Sequence, residues 1–148
     1  MDKKINKLLI RGASSESDLN YIAKALNLKI NFIGSIYDLK SLTIGNYILL
    51  ISPNKKVRNG HWVALKVNKD KSYYFDSYGL PPPQIIAQNL NWIRDPTKRH
   101  QRCLLKTPLY YNNEQIQDLA SSHCGIYSIY FLKEGPNMIK HFKIHNVF

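Results

Sequence analysis

The chain is poor in cysteine. Its two residues, Cys103 and Cys124, are too few for a disulfide-stapled secreted scaffold or for a zinc site built from cysteine alone. One bridge between them is arithmetically allowed, but the expectation is a reducing, intracellular setting. Long apolar runs are missing too. The N-terminus, MDKKINKLLIRGASSE, offers only Leu8 to Ile10 before Arg11 interrupts, short of a signal-peptide core. Elsewhere the longest such run, Tyr47 to Ile51, falls far below a membrane span, so no membrane partner is expected.

Acidic residues are scarce, with 10 Asp and Glu against 21 Lys and Arg, a formal net charge of +11. Such a field attracts polyanions, nucleic acid first. With 44% hydrophobic and 11% aromatic residues, the charge decorates a packed fold and not a disordered basic tail. The length of 148 residues suits one domain, 1–148. There is no phosphate-binding Gly-rich loop, no paired-cysteine or His-Glu-x-x-His metal motif, and no nucleophile-elbow serine, so metal and nucleotide chemistry fall in rank.

Ser15 to Ser17 followed by DLNYIAKALNL predicts an amphipathic helix, with Leu19, Ile22, Ala23, Ala25 and Leu26 at helical spacing. KINFIGS and GNYILLIS read as strands separated by SIYDLKSL. HWVALKVN and SYYFDSYG form a hairpin around the polar turn Asn68 to Lys71, its second strand stopped by Pro81 to Pro83. Behind the prolines QIIAQNLNWIRD predicts a surface helix carrying Ile85, Ile86, Leu90 and Ile93, while LKTPLYYNNEQIQDL reads as an irregular strand and loop. SSHCGIYSIYFLKEG predicts a helix apolar on nearly every face, hence central and buried, closing at Lys133 and Gly135.

Cys124 stands at the start of that helix, where the positive end of the dipole and unpaired N–H groups favour a thiolate. Gly125 beside it leaves room for a substrate backbone. A thiolate nucleophile is normally paired with an imidazole oriented by a carboxylate or amide. With the hairpin turn centred on Lys69 and Asp70, His61 faces Tyr78 and Val63 faces Asp76, which makes His61 and Asp76 diagonal neighbours on one sheet face. The Cys124 N–H suits an oxyanion, and Gln117, with Gln115 as the competing choice, suits the second donor.

Singly, each residue has a plain structural reading: an inert buried thiol, a satisfied imidazole, a turn-stabilising carboxylate. Their joint order and spacing favour chemistry. His123 reads as part of the helix entry, pointing away from the sulfur, and His100, His141 and His145 as surface residues; Cys103 is taken as a bystander before a redox partner or an attachment point for a peptide cofactor. Arg94, Lys98, Arg99, Arg102 and Lys106, with Lys55, Lys56 and Arg58, form a solvated face in preference to a phosphate-tracking stripe.

GHWVAL, YYFDSYG, Gln117 and SSHCGIYSIYFL together resemble the viral cysteine proteases of the adenovirus-protease type, related to the SUMO- and ubiquitin-like-specific proteases. The resemblance runs from Gly60 to Leu132, about half the chain, in the order His, acid, Gln, Cys, and its wording is most similar to proteases of DNA viruses, virophages and related mobile elements. It implies an α+β, papain-like cysteine protease core, a central buried helix against a mostly antiparallel sheet. Cys124 would be the nucleophile, His61 the general base and acid, Asp76 the residue orienting His61, Gln117 with the Cys124 N–H the oxyanion hole, and Trp62 a neighbour packed beside His61. It further implies a monomeric endopeptidase that cleaves viral precursor proteins after small residues such as glycine during virion maturation, in the host cell or virion. No cofactor is required for the chemistry; DNA and a short peptide are candidate activators. A deconjugating isopeptidase for a ubiquitin-like modifier and a non-enzymatic DNA-binding protein are the alternatives.

Overall fold

The computed structural model describes residues 3–11, 15–39, 42–56, 60–86, 108–116, 123–140 and 142–144. They build an α+β fold: helices α1 (Lys3–Arg11), α2 (Glu16–Ala25) and α3 (Cys124–Glu134), and strands β1 (Phe32–Ser35), β2 (Gly45–Ile51), β3 (His61–Val67), β4 (Ser72–Phe75), β5 (Leu109–Asn112) and β6 (Phe142–Ile144). The strands lie in chain order in one six-stranded sheet. Three pairings, β2·β3, β3·β4 and β5·β6, are antiparallel, while β1·β2 and β4·β5 are parallel, so the sheet is mixed.

HWVALKV carries almost no polar alternation because β3 is covered on both faces. Trp62 and Ala64, with Ile48 and Phe75, face Leu8 of α1, Leu19 and Ile22 of α2, and Ile126, Ile129, Phe131 and Leu132 of α3. Val63, Leu65 and Val67 face the other way, onto Leu42, Tyr47, Leu49, Tyr74, Ile86 and Leu109. Phe75 and Phe131 stack between sheet and α3 with ring centroids 4.8 Å apart. Cutting either back to Ala would cost about 3–5 kcal/mol by the usual cavity argument. The expected central helix is therefore present, with Tyr130, Lys133 and Glu134 at its exposed side.

Helix α2 starts as its sequence proposes. The Ser15 side chain accepts from the Asp18 N–H, and Glu16 and Asp18 occupy the first turn. It ends in a Schellman motif: Asn27 takes φ 54, its N–H bonds to the Lys24 carbonyl, and the Leu28 N–H reaches back to Ala23. At the close of α3, Gly135 takes φ 85 and donates to Phe131.

Other expectations change. Helix α1 was not expected; Lys3, Lys4 and Lys7 are exposed while Leu8 packs into the core. Strand β4 stops at Phe75, well before Pro81, because Asp76 turns the chain there. The irregular segment around Tyr110 contains a regular strand, β5, and β6 follows α3. Of the helix expected behind the prolines only residues 84–86, which are helical, are described.

Candidate active site

His61 is the first residue of β3, paired with Ile51, the last of β2, so its ring sits at the end of the sheet. The hairpin aligns Ala64 with Phe75, Leu65 with Tyr74 and Val67 with Ser72, the expected register. One step past the ladder this puts Asp76 on the diagonal from His61, and Asp76 Oδ1 lies 2.6 Å from His61 Nε2. The Tyr78 ring stacks on the imidazole, centroids 4.2 Å apart and planes inclined by 15°. Asp76 is buried, whereas His61 keeps part of its ring in contact with solvent.

Local turn chemistry holds the carboxylate. The Tyr78 N–H donates to Asp76 Oδ1 at 2.8 Å, the same oxygen that meets His61, and the Gly79 N–H donates to the Asp76 carbonyl at 2.8 Å. Gly79 takes φ 76, and a Cβ there would lie 2.8 Å from the carbonyl carbon of Glu114. That close approach, with an Ile116 N–H bond to the Ser77 carbonyl, straps residues 114–116 against the turn. Gln115 lies on the strap and is exposed; Gln117, the expected oxyanion donor, lies outside the described residues. Outside them too are Cys103, His100, His141, His145, Arg58 and the cluster Arg94, Lys98, Arg99, Arg102 and Lys106.

The third element is the start of α3. Cys124 opens the helix after His123, which occupies the N-cap position without a side-chain cap bond. The first intrahelical bond runs from the Tyr127 N–H to the His123 carbonyl, leaving earlier N–H groups outside the helix ladder. The Gly125 N–H points to the Cys124 sulfur, and the Trp62 N–H of β3 reaches the same Sγ at 3.4 Å. Ser128, one turn further on, has its Oγ 2.9 Å from the Cys124 carbonyl and 3.3 Å from the Trp62 carbonyl. Trp62 thus serves the site through its main chain, while its ring is buried in the core on the helix side of the sheet.

Burial pushes the free Cys124 thiol up, but the hydrogen bond from His61, the Trp62 N–H, the His61 charge and the Gly125 N–H outweigh it, and the pKa falls below the ordinary 9.0. For His61, burial acts against the charged ring. Hydrogen bonds to Asp76 and Cys124 and the charges of both overcome this and raise the pKa from 6.5 to about 9. With Nε2 committed to Asp76, Nδ1 is the ring nitrogen left for the sulfur. The two shifts favour thiolate beside imidazolium, a nucleophile paired with a proton donor.

Asn112 lies in the segment that the sequence presents only as an irregular strand and loop. It is fully buried and bonds both main-chain groups of Asp76. Among the described residues no group of three or more His, Cys, Asp or Glu could hold a metal ion, and no helix is long and apolar enough to cross a membrane. A wide cleft bounded by Lys29, Phe32, Asp38, Ile44 and Tyr47 opens at the Gly45 end of β2, opposite the end that adjoins His61. No known protein family matches the chain, and no curated protein matches it.

Proposed function

We propose that the chain is a cysteine protease with a papain-like core, a thiol endopeptidase in which Cys124 is the nucleophile, His61 the general base and acid, and Asp76 the group that orients and charges His61. The observation that carries this reading is the meeting of three groups from separate elements: Asp76 Oδ1 at 2.6 Å from His61 Nε2, and a helix-initial thiol hydrogen-bonded to the same imidazole. The Cys124 sulfur attacks the scissile carbonyl carbon, and the Cys124 N–H serves the developing oxyanion, with Gln117 as the proposed second donor. Imidazolium passes its proton to the leaving amine, a thioester remains, and water activated by His61 hydrolyses it.

The resemblance supports the adenovirus-protease type within this class, with viral precursor proteins cut after small residues such as glycine during virion maturation, by a monomer in the host cell or virion. The net charge of +11 suits DNA as a guide or activator. Fluorogenic peptides ending in glycine, assayed beside Gly-ending ubiquitin-like modifiers, test it. Peptide cleavage abolished by Cys124→Ala supports the proposal. Full activity in that variant refutes it, and turnover of the modifiers alone makes the protein a deconjugating isopeptidase. Salt-sensitive DNA binding without labelling of Cys124 by a thiol-directed probe at neutral pH makes it a non-enzymatic DNA-binding protein.

A further inference from the structure

Asp76 lies where the sheet no longer holds it. The β3·β4 ladder ends at Ala64 and Phe75, and the β4·β5 ladder at Tyr74 and Tyr111. Its buried N–H and C=O therefore need partners other than the backbone ladders, and leaving them unpaired would be costly. The Gly79 N–H meets the carbonyl, and Asn112, the last residue of β5, meets the N–H and the carbonyl together. Its Oδ1 accepts the Asp76 N–H at 2.9 Å, and its Nδ2 donates to the Asp76 carbonyl at 2.6 Å and to the Glu114 carbonyl at 3.3 Å. The amide orientation is dictated, since the N–H must meet an oxygen and the carbonyls a donor.

Gripping N–H and C=O together fixes the main-chain frame of Asp76, and with it the direction of its Cα–Cβ bond. The Tyr78 N–H fixes the carboxylate from the other side. A contact of 2.6 Å to His61 Nε2 does not survive a slide of that frame. We infer that Asn112 is a positioning residue of the active site, aiming the Asp76 carboxylate at His61 by holding the Asp76 main chain. This role rests on the reading of His61, Asp76 and Cys124 as a catalytic group. It adds a member from β5 to a site otherwise carried by β3, the turn after β4, and α3.

The test reads the thiolate and needs no peptide substrate. Among the described residues, Asp76 and Cys124 are the charged groups that act on the His61 ring, so Cys124 reactivity reports how well Asp76 is aimed. In a Cys103→Ser background, alkylation of Cys124 by iodoacetamide is followed against pH for the parent chain, Asn112→Ala, Asn112→Ser, Asp76→Asn and the Asn112→Ala/Asp76→Asn pair, with thermal unfolding of each. Asp76→Asn keeps its main chain and hence its bonds to Asn112. We expect Asn112→Ala to lower the alkylation rate at pH 6 on the order of tenfold, Asn112→Ser to lower it less, and Asn112→Ala to add nothing in the Asp76→Asn background. Asn112→Ser, which keeps a polar γ atom, carries the comparison where Asn112→Ala does not fold. A parent profile kept in folded Asn112 variants, or effects that multiply in the pair, overturns the positioning role alone. A parent Cys124 that alkylates like a free thiol overturns the catalytic reading and this role with it.

Discussion

Replacing Asp76 with Asn asks what keeps the charge on His61. Asn has the same size, retains an oxygen that accepts the Nε2 proton, and leaves the main-chain bonds to Asn112 and Gly79 untouched; only the negative charge goes. In the native site burial opposes the imidazolium, and Asp76 and Cys124 each raise the pKa by hydrogen bond and by charge, from 6.5 to about 9. That displacement is worth about 3 kcal/mol in favour of the charged ring. Without the carboxylate, burial opposes Cys124 alone, and the His61 pKa drops below 9. The reactive pair exists above the lowered Cys124 pKa and below that of His61, so kcat/KM for a cleaved peptide follows a bell with its alkaline limb near 9. In Asp76→Asn that limb shifts to lower pH, and the maximum falls by about 10²–10⁴-fold. Peptide hydrolysis measured from about pH 5 to 10 on both proteins, with circular dichroism to confirm the fold, reads both effects. An alkaline limb that stays near 9 in folded Asp76→Asn refutes the assignment of Asp76 as the group that holds the charge.

Stability should respond to the same pair. The raised pKa of His61 gives a contribution fully present below 6.5 and lost as pH rises through about 9, whereas the lowered pKa of Cys124 gives one present above 9.0 and lost as pH falls through the folded value. Across the interval between, the slopes oppose, because unfolding returns a proton from ring to sulfur without exchange with solvent. Cys124→Ala removes the opposing slope and the part of the His61 shift that Cys124 holds, leaving the part held by Asp76, so its Tm falls relative to the native chain as pH rises above about 6.5; equal Tm profiles for the two proteins would contradict the ion pair. Gly79→Ala forces an L side chain into φ 76 and a Cβ within 2.8 Å of Glu114, so thermal unfolding should show a loss of at least about 1–2 kcal/mol together with slower Cys124 alkylation. An unchanged Tm would mean that the turn after β4 tolerates the change by separating from residues 114–116.

Local rules read much of the fold directly. Capping at Ser15, the β-branched and aromatic residues of GNYILLIS, and the apolar closure of α3 each act within a few residues, and each element appears where those rules put it. Helix α1 is faint in the sequence because its apolar residues are few and interrupted by Lys and Asn, although Ile5 and Leu8 stand one helical turn apart and Leu8 is buried. Strand β5 was legible only as an irregular strand and loop, without its bounds. Four residues, LYYN, become a strand through pairing with β4 on one side and β6 on the other, partners distant in sequence.

The same division runs through the site. His61 and Asp76 were legible because a hairpin register, once its turn is centred, fixes every facing pair, and the contact needs no knowledge of the rest of the fold. Cys124 was legible because a helix start has its own electrostatics. What joins them is tertiary. The Trp62 N–H reaches the sulfur only because α3 packs across β3, with Ser128 small enough to be buried at the crossing and bonded to both main chains. Asn112 reaches Asp76 only because β5 lies parallel to β4 and ends one residue past its register. In the sequence an Asn-Asn pair after two tyrosines signals a turn, and nothing local separates the residue that grips the Asp76 main chain from the exposed Asn113 beside it. Positioning residues of this kind bond to main chain. Their partner can be any residue type, so no side-chain motif marks them, and they come into view only when the buried N–H and C=O groups of the site are each assigned a partner.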